Sequence, residues 1–262
     1  MSQLAANARD FAQTLALEAV QMLQHARLQT HAVEFKSAGD WSSALDRRIE
    51  ERLRSRLAAE FPEHGFLGEE SAHTQVSQGL LWVVDPIDGS MNFLRGYPQY
   101  SVSIALLCDG EPIAACIADP CRNEIFSAAL GHGATLDGLP LQVAETSGLP
   151  LSVASTVFPK PQAGSMTEYL AQFGRVVSTV AGVRRSGSMA LEMAYLAAGR
   201  VDLFWSHDMG SWDAAAGVLL IRESGGQIFT LDGLVWHGSR RIAAATPPLV
   251  SAWQLLLSHS GA

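Results

Sequence analysis

The chain has 262 residues, 48% of them hydrophobic, and a formal net charge of -8. That length can bury the core of one large domain or two subdomains. The acidic balance, with no block of Lys or Arg, argues against a general nucleic-acid or membrane-surface binder, and no run of about 18 apolar residues offers a membrane span.

No basic region followed by an apolar run opens the chain, so a cytoplasmic protein is expected. Cys108, Cys116 and Cys121 are odd in number, form no CxxC pair and have no His at zinc spacing. They read as buried free thiols.

In chain order, Leu4, Ala8, Phe11, Leu15, Ala19, Leu23 and Ala26 recur at three-or-four spacing and predict an amphipathic helix over 4–28. A polar turn over 34–40 follows. Ser43 with Asp46 then opens a second helix, whose buried stripe is Leu45, Ile49, Leu53 and Leu57, with Asp46, Arg47, Arg48 and Glu50 off it. After Phe61-Pro62-Glu63-His64-Gly65, the run Phe66-Leu67-Gly68-Glu69-Glu70-Ser71 reads as a short strand entering paired acids. Adjacent glutamates ordinarily form a solvated turn. These follow an apolar pair and precede the stretch that organises the chain.

That stretch is Trp82-Val83-Val84-Asp85-Pro86-Ile87-Asp88-Gly89-Ser90-Met91-Asn92-Phe93. An apolar strand runs into two carboxylates, which are costly to desolvate unless something positive lies between them. A divalent cation is the expected partner. Gly89 permits a sharp turn, Ser90 reads as a helix N-cap, and the amides of the next turn suit a phosphate. Metal ligands beside an anion-binding helix end are the parts of metal-assisted phosphate-ester hydrolysis.

Further on, Tyr100–Leu107, Pro112–Asp119, Asn123–Leu130 and Ala134–Val143 read as strands joined by Asp-Gly turns, an antiparallel meander in an α+β layer. The Pro, Gly and Ser-rich passage Ser147–Ser165 marks a boundary, dividing an N-terminal subdomain 1–147 from a C-terminal α/β subdomain 148–262. In the second half, Arg175–Val180, Val201–Trp205, Gln227–Leu231 and Arg240–Ala245 read as strands. Met189–Ala198 and Trp212–Ser224 read as helices, and Pro247-Pro248 opens a last one. Asp213 stands at a helix start among small residues, which allows close approach.

Three separated motifs then say more. Gly68-Glu69-Glu70, Asp85 through Phe93, and Trp212-Asp213-Ala214-Ala215-Ala216-Gly217 resemble the signatures of the inositol monophosphatase family, in order over nearly the whole chain. Lys36 with Asp40 to Asp46, Arg184-Arg185-Ser186-Gly187-Ser188 and Glu223-Ser224-Gly225-Gly226 resemble its weaker elements. The resemblance implies a layered αβαβα sandwich and a magnesium-dependent, lithium-sensitive phosphomonoesterase, a homodimer in family members. One Mg2+ falls to Glu69, Asp85 and the carbonyl of Ile87, a second to Asp85, Asp88 and Asp213, and a third, weaker one to Glu69. Glu69 and Ser90 would meet the attacking water, Asp46 would partner Ser90, and the amides of Gly89 and Ser90 would take the phosphate. Asp88, Arg184, Gly187, Ser188 and Asp208 would meet substrate. Serine stands at position 90 where the family commonly has threonine.

The substrate expected is inositol monophosphate or a similar small polyol phosphate. Histidinol phosphate, 3'-phosphoadenosine 5'-phosphate and fructose bisphosphate are the alternatives, since a scaffold does not fix a substrate. A regulatory or binding protein without turnover is a different class, against which the intact acid set speaks.

Overall fold

A computed structural model describes residues 1–26, 33–37, 40–71, 79–161 and 164–258. The last two positions of the predicted first helix, and the side chains of Lys36 and Asp40, lie outside that description. The first half runs α1 (Ser2–Ala26), β1 (Val33–Ser37), β2 (Asp40–Ser43), α2 (Ala44–Glu60), β3 (Gly65–Gly68), β4 (Leu80–Asp88), α3 (Ser90–Leu94), β5 (Ser101–Cys108), β6 (Glu111–Asp119), β7 (Glu124–Ala129), β8 (Ala134–Leu136) and β9 (Leu139–Pro140). The second runs β10 (Val153–Val157), α4 (Met166–Val177), β11 (Gly182–Arg184), α5 (Met189–Ala197), β12 (Leu203–Ser206), α6 (Ser211–Glu223), β13 (Gln227–Thr230), β14 (Ile242–Ala245) and α7 (Val250–Ser258).

Strands β3 to β9 form a seven-stranded sheet in sequence order, with β3 parallel to β4 and the rest antiparallel. The second sheet has the order β11-β10-β12-β14-β13, with β10 parallel to both β11 and β12. Strand side chains alternate between faces, and both faces here are covered. Trp82, Val84, Ile104 and Leu106 pack on α1 and α2, whereas Val83, Ala105 and Leu107 pack with α5 and α6. On the second sheet, Phe204, Ile242 and Ala244 join that same α5/α6 core, while Leu203, Trp205, Ala243 and Ala245 face α4 and α7. The stacking is therefore α1/α2, sheet, α5/α6, sheet, α4/α7: the αβαβα sandwich implied by the resemblance.

Two readings of the second half are corrected. Arg175–Val180 is the end of α4 and the turn after it. Its β-branched residues suggest a strand, but Tyr169, Gln172 and Val176 are buried at helical spacing, and Arg175 donates to the carbonyls of Leu256 and Leu257 on α7. Tertiary packing overrides propensity here. Conversely, the polar passage 147–165 hides β10, a central strand whose Ser155 and Thr156 are fully buried. Cys116 is buried, its thiol pushed up to about 12 by desolvation, while Cys108 and Cys121 are partly exposed.

His207, just past β12, is buried edge-on to Tyr169 with ring centroids 5.7 Å apart. Its Nε2 lies 2.8 Å from Gln172 Oε1, and Nδ1 has no partner among the described residues. A second ring proton would have no acceptor, and burial, with the charge of Arg241, lowers the pKa from 6.5 to about 4. Between those values the unfolded chain binds more protons, so this contribution is complete above pH 6.5 and is lost as pH falls toward 4. Relative to His207→Gln in the same buffer, the parent should lose up to about 3 kcal/mol over that window, measured by denaturant melts at stepped pH. Parallel pH profiles would remove this assignment.

Candidate active site

β4 ends in a bulge between Asp85 and Asp88, so both carboxylates leave the sheet at one place. The first turn of α6 brings Asp213 to them. One carboxylate oxygen from each of these three buried residues lies within 4.8 Å of the others. Among the described residues no Lys or Arg forms an ion pair with any of them. Burial, then the charges of Glu69, Asp88, Asp213 and Asp46, holds Asp85 well above the usual carboxylate range. Burial, then Asp88 and Glu69, does the same to Asp213. Burial also raises Asp88, opposed by its hydrogen bonds. An all-oxygen set of crowded acids with no ion-paired Lys or Arg among the described residues fits a hard divalent ion.

The three acids are held differently. Among the described residues Asp85 Oδ1 accepts the Ile87 N–H alone, at 3.0 Å, and Asp213 Oδ2 accepts the Gly210 N–H at 2.6 Å. Asp88 is far more engaged: it accepts the amides of Met189 (3.1 Å) and Ala190 (2.9 Å), the Ser101 hydroxyl (3.2 Å) and, through a very short contact, the Ser188 hydroxyl. It thereby satisfies first-turn amides of α5 that have no intrahelical acceptor.

Gly89, with φ +90, is the N-cap of α3, and Ser90 is the first helical residue; the expectation that Ser90 caps is corrected. The reason is that its hydroxyl has other partners, lying 2.8 Å from both Asp46 Oδ1 and Ile87 O. Asp46 completes the predicted capping box, its Oδ2 accepting the Ser43 N–H and hydroxyl at 2.7 Å each. Gly187 (φ +93) comes close to this turn: a Cβ on Gly89 would sit 3.1 Å from the Gly187 carbonyl oxygen.

Glu69 stands half-buried at the end of β3, outside the three-acid group, yet its charge acts on Asp85 and Asp213. Behind it lies Glu50, expected off the buried stripe of α2 together with Asp46. Both are buried, which corrects that reading. Glu50 Oε2 accepts the Glu70 N–H at 2.8 Å, and a Cβ on Gly68 would fall 2.3 Å from its carboxyl carbon. The i, i+4 spacing of Asp46 and Glu50 was the available signal.

Other supports also escaped the sequence reading. Glu192 Oε1 accepts the Ser186 N–H (2.8 Å) and hydroxyl (2.5 Å), fixing the 186–188 loop. It is the only charged residue in the apolar α5, and burial raises its pKa. Asn92 Nδ2 donates to Gln99 O and Ser186 O at 2.6 and 2.8 Å, tying α3 to that loop. Arg184 is exposed and donates to the Val183 carbonyl, and Asp208 pairs with Arg240 at 2.8 Å. Neither joins the acid cluster.

A profile of the inositol monophosphatase family matches residues 5–259. The chain belongs to the inositol monophosphatase family. Among curated relatives, the inositol-1-monophosphatase of Rhizobium meliloti is 41% identical over 200 residues, covering 76% of this chain and 75% of the relative. The protein named Nus factor SuhB from Pseudomonas aeruginosa is 38% identical over 212 residues, covering 79% and 78%. A crystal structure of extragenic suppressor protein suhB from Bartonella henselae superimposes with a TM-score of 0.90 at 32% identity, covering 96% of this chain and 98% of that one. Family membership thus agrees with the fold, and no helix among the described residues is long and apolar enough to cross a membrane.

Proposed function

We propose that this inositol monophosphatase family member hydrolyses inositol monophosphate, or a similar small polyol phosphate, to the free polyol and inorganic phosphate, with two to three Mg2+ ions as cofactor. The observation carrying this reading is the convergence of Asp85, Asp88 and Asp213, from two distant parts of the chain, on one buried spot where no Lys or Arg among the described residues forms an ion pair with them.

Asp85, Asp88 and Asp213 would hold the cations, with Glu69 and the Ile87 carbonyl as further oxygen donors. When bound, such ions neutralise phosphoryl oxygens and acidify a water. The amides of Gly89 and Ser90, at the opening of α3, receive the phosphate. The Ser90 hydroxyl donates toward Asp46 Oδ1 and Ile87 O, which leaves its lone pairs to accept a hydrogen bond from the attacking water. Glu69 orients that water from the other side and accepts its proton. Gly187 and Ser188 would meet the leaving polyol, with Arg184 and Asp208 as more distant contacts. A cytoplasmic location belongs to the same reading, and a homodimer does so on the resemblance alone.

The test is phosphate release from inositol 1-phosphate across a magnesium titration. Turnover should require added magnesium and fall with lithium; equal turnover in chelator would overturn the metal assignment. A second reading, a regulatory role through a protein partner, is favoured by relatives named Nus factor SuhB. It predicts a function that survives loss of turnover in Asp85→Asn.

A further inference from the structure

We infer that Arg185 gives the site a preference for esters whose leaving group carries a second anionic substituent. This rests on the phosphatase reading above and names a substrate class within it.

Arg185 follows β11, and its guanidinium carbon lies 5.0 Å from the ring centroid of Phe158, the residue that follows β10. Both residues therefore leave the carboxyl ends of adjacent parallel strands, where open α/β sheets form ligand crevices. The guanidinium also reaches back to the cradle. Its Nη1 lies 3.2 Å from the place a Cβ on Gly187 would take, and the Gly187 carbonyl is, with that of Gln99, one of the two that close on Gly89. One glycine thus separates Arg185 from the turn assigned to the phosphate, and the Ser188 hydroxyl beside it is bonded to Asp88.

What the guanidinium lacks among the described residues is an acid. Arg122, Arg200, Arg222, Arg240 and Arg241 each pair with a carboxylate of this chain, and among the described residues none lies within ion-pair distance of Arg185. Arg185 is exposed and its guanidinium lies over the ring of Phe158, itself 45% exposed, a cation–π contact that uses none of its N–H donors. Lys160, two residues beyond Phe158, adds positive charge that is felt at Asp213. A second anion on a substrate would be repelled by the acids at the floor and attracted at this rim. A neutral polyol makes no use of the charge, whereas a carboxylate or phosphate can take two parallel N–H bonds.

Two matched pairs of esters test this at fixed free magnesium: glycerol 2-phosphate against 2-phosphoglycerate, and glycerol 3-phosphate against 3-phosphoglycerate. Each pair differs only in a carboxylate replacing a CH2OH, at two distances from the phosphate. In at least one pair the acidic ester should have the higher kcat/KM, by about tenfold for one charge-assisted bond. In Arg185→Gln that ratio should fall toward one, in Arg185→Lys it should be partly kept, and in Phe158→Ala it should drop. A purely structural role would lower both members of a pair together and leave the ratio unchanged, which overturns the inference. So does a parent ratio of one or less in both pairs while glycerol phosphates or inositol 1-phosphate are hydrolysed. Absence of turnover on every ester overturns the phosphatase reading itself, and this inference with it.

Discussion

Asp85→Asn should lower turnover by about a thousandfold or more, as expected when several kcal/mol of cation-based stabilisation are removed, and should leave a folded protein. The fold survives because asparagine retains the one acceptor that the structure uses, the oxygen facing the Ile87 N–H. The same change removes one of three crowded buried charges. In chelator, therefore, the variant should melt above the parent, and the rise in Tm on adding magnesium should shrink. Phosphate release and paired melts with and without magnesium measure both. A variant that melts lower in chelator would show that mutual repulsion is not what perturbs these acids. Asp88→Asn is a poorer probe: both its oxygens accept backbone amides, at Met189 and Ala190, so an amide nitrogen would confront a donor.

Gly217→Val should be among the most destabilising single changes in the chain. Helix propensity alone favours replacing a mid-helix glycine by about 1 kcal/mol in the case of alanine. At this position a Cβ would lie 2.5 Å from Met193 Cβ and 2.7 Å from its sulfur, where α6 crosses α5. A clash with a Cβ cannot be relieved by rotating a side chain, so the helices must separate. Overpacking of this kind costs about 3 kcal/mol, a fall in Tm of about 6 to 12 °C. Gly217→Ala carries the sign of the competition: a net loss of stability means that the approach of the helices outweighs propensity. Since α6 carries Asp213, magnesium affinity should weaken alongside.

The acids were legible because their motifs are contiguous: an apolar strand ending in Asp85 and Asp88, and Asp213 at the head of a helix of small residues. The small residues of α6 permit close approach, and Gly217 against Met193 is that approach. What escaped notice was whatever depends on a distant partner. Ser90 looks like a cap until Asp46, on another helix, takes its hydroxyl. Glu50 looks like solvent-facing charge until β3 arrives with Gly68, whose missing side chain makes room for the carboxylate. The strand β10 is written in serine and threonine, and only its place between two neighbours explains why it is buried. Arg184 and Arg185 are equivalent as letters and both are exposed; only the arrival of Phe158 from the neighbouring strand end sets Arg185 apart.

Asp88 is supplied by the first sheet, but it terminates α5, a helix of the middle layer that touches both sheets. A single carboxylate therefore caps that helix and, in the proposed reading, also holds a cation. Whatever ion draws on its lone pairs must loosen or tighten the opening turn of α5, so amide exchange at Met189 and Ala190 should track magnesium concentration, and the layers would register occupancy of the site before any substrate arrives.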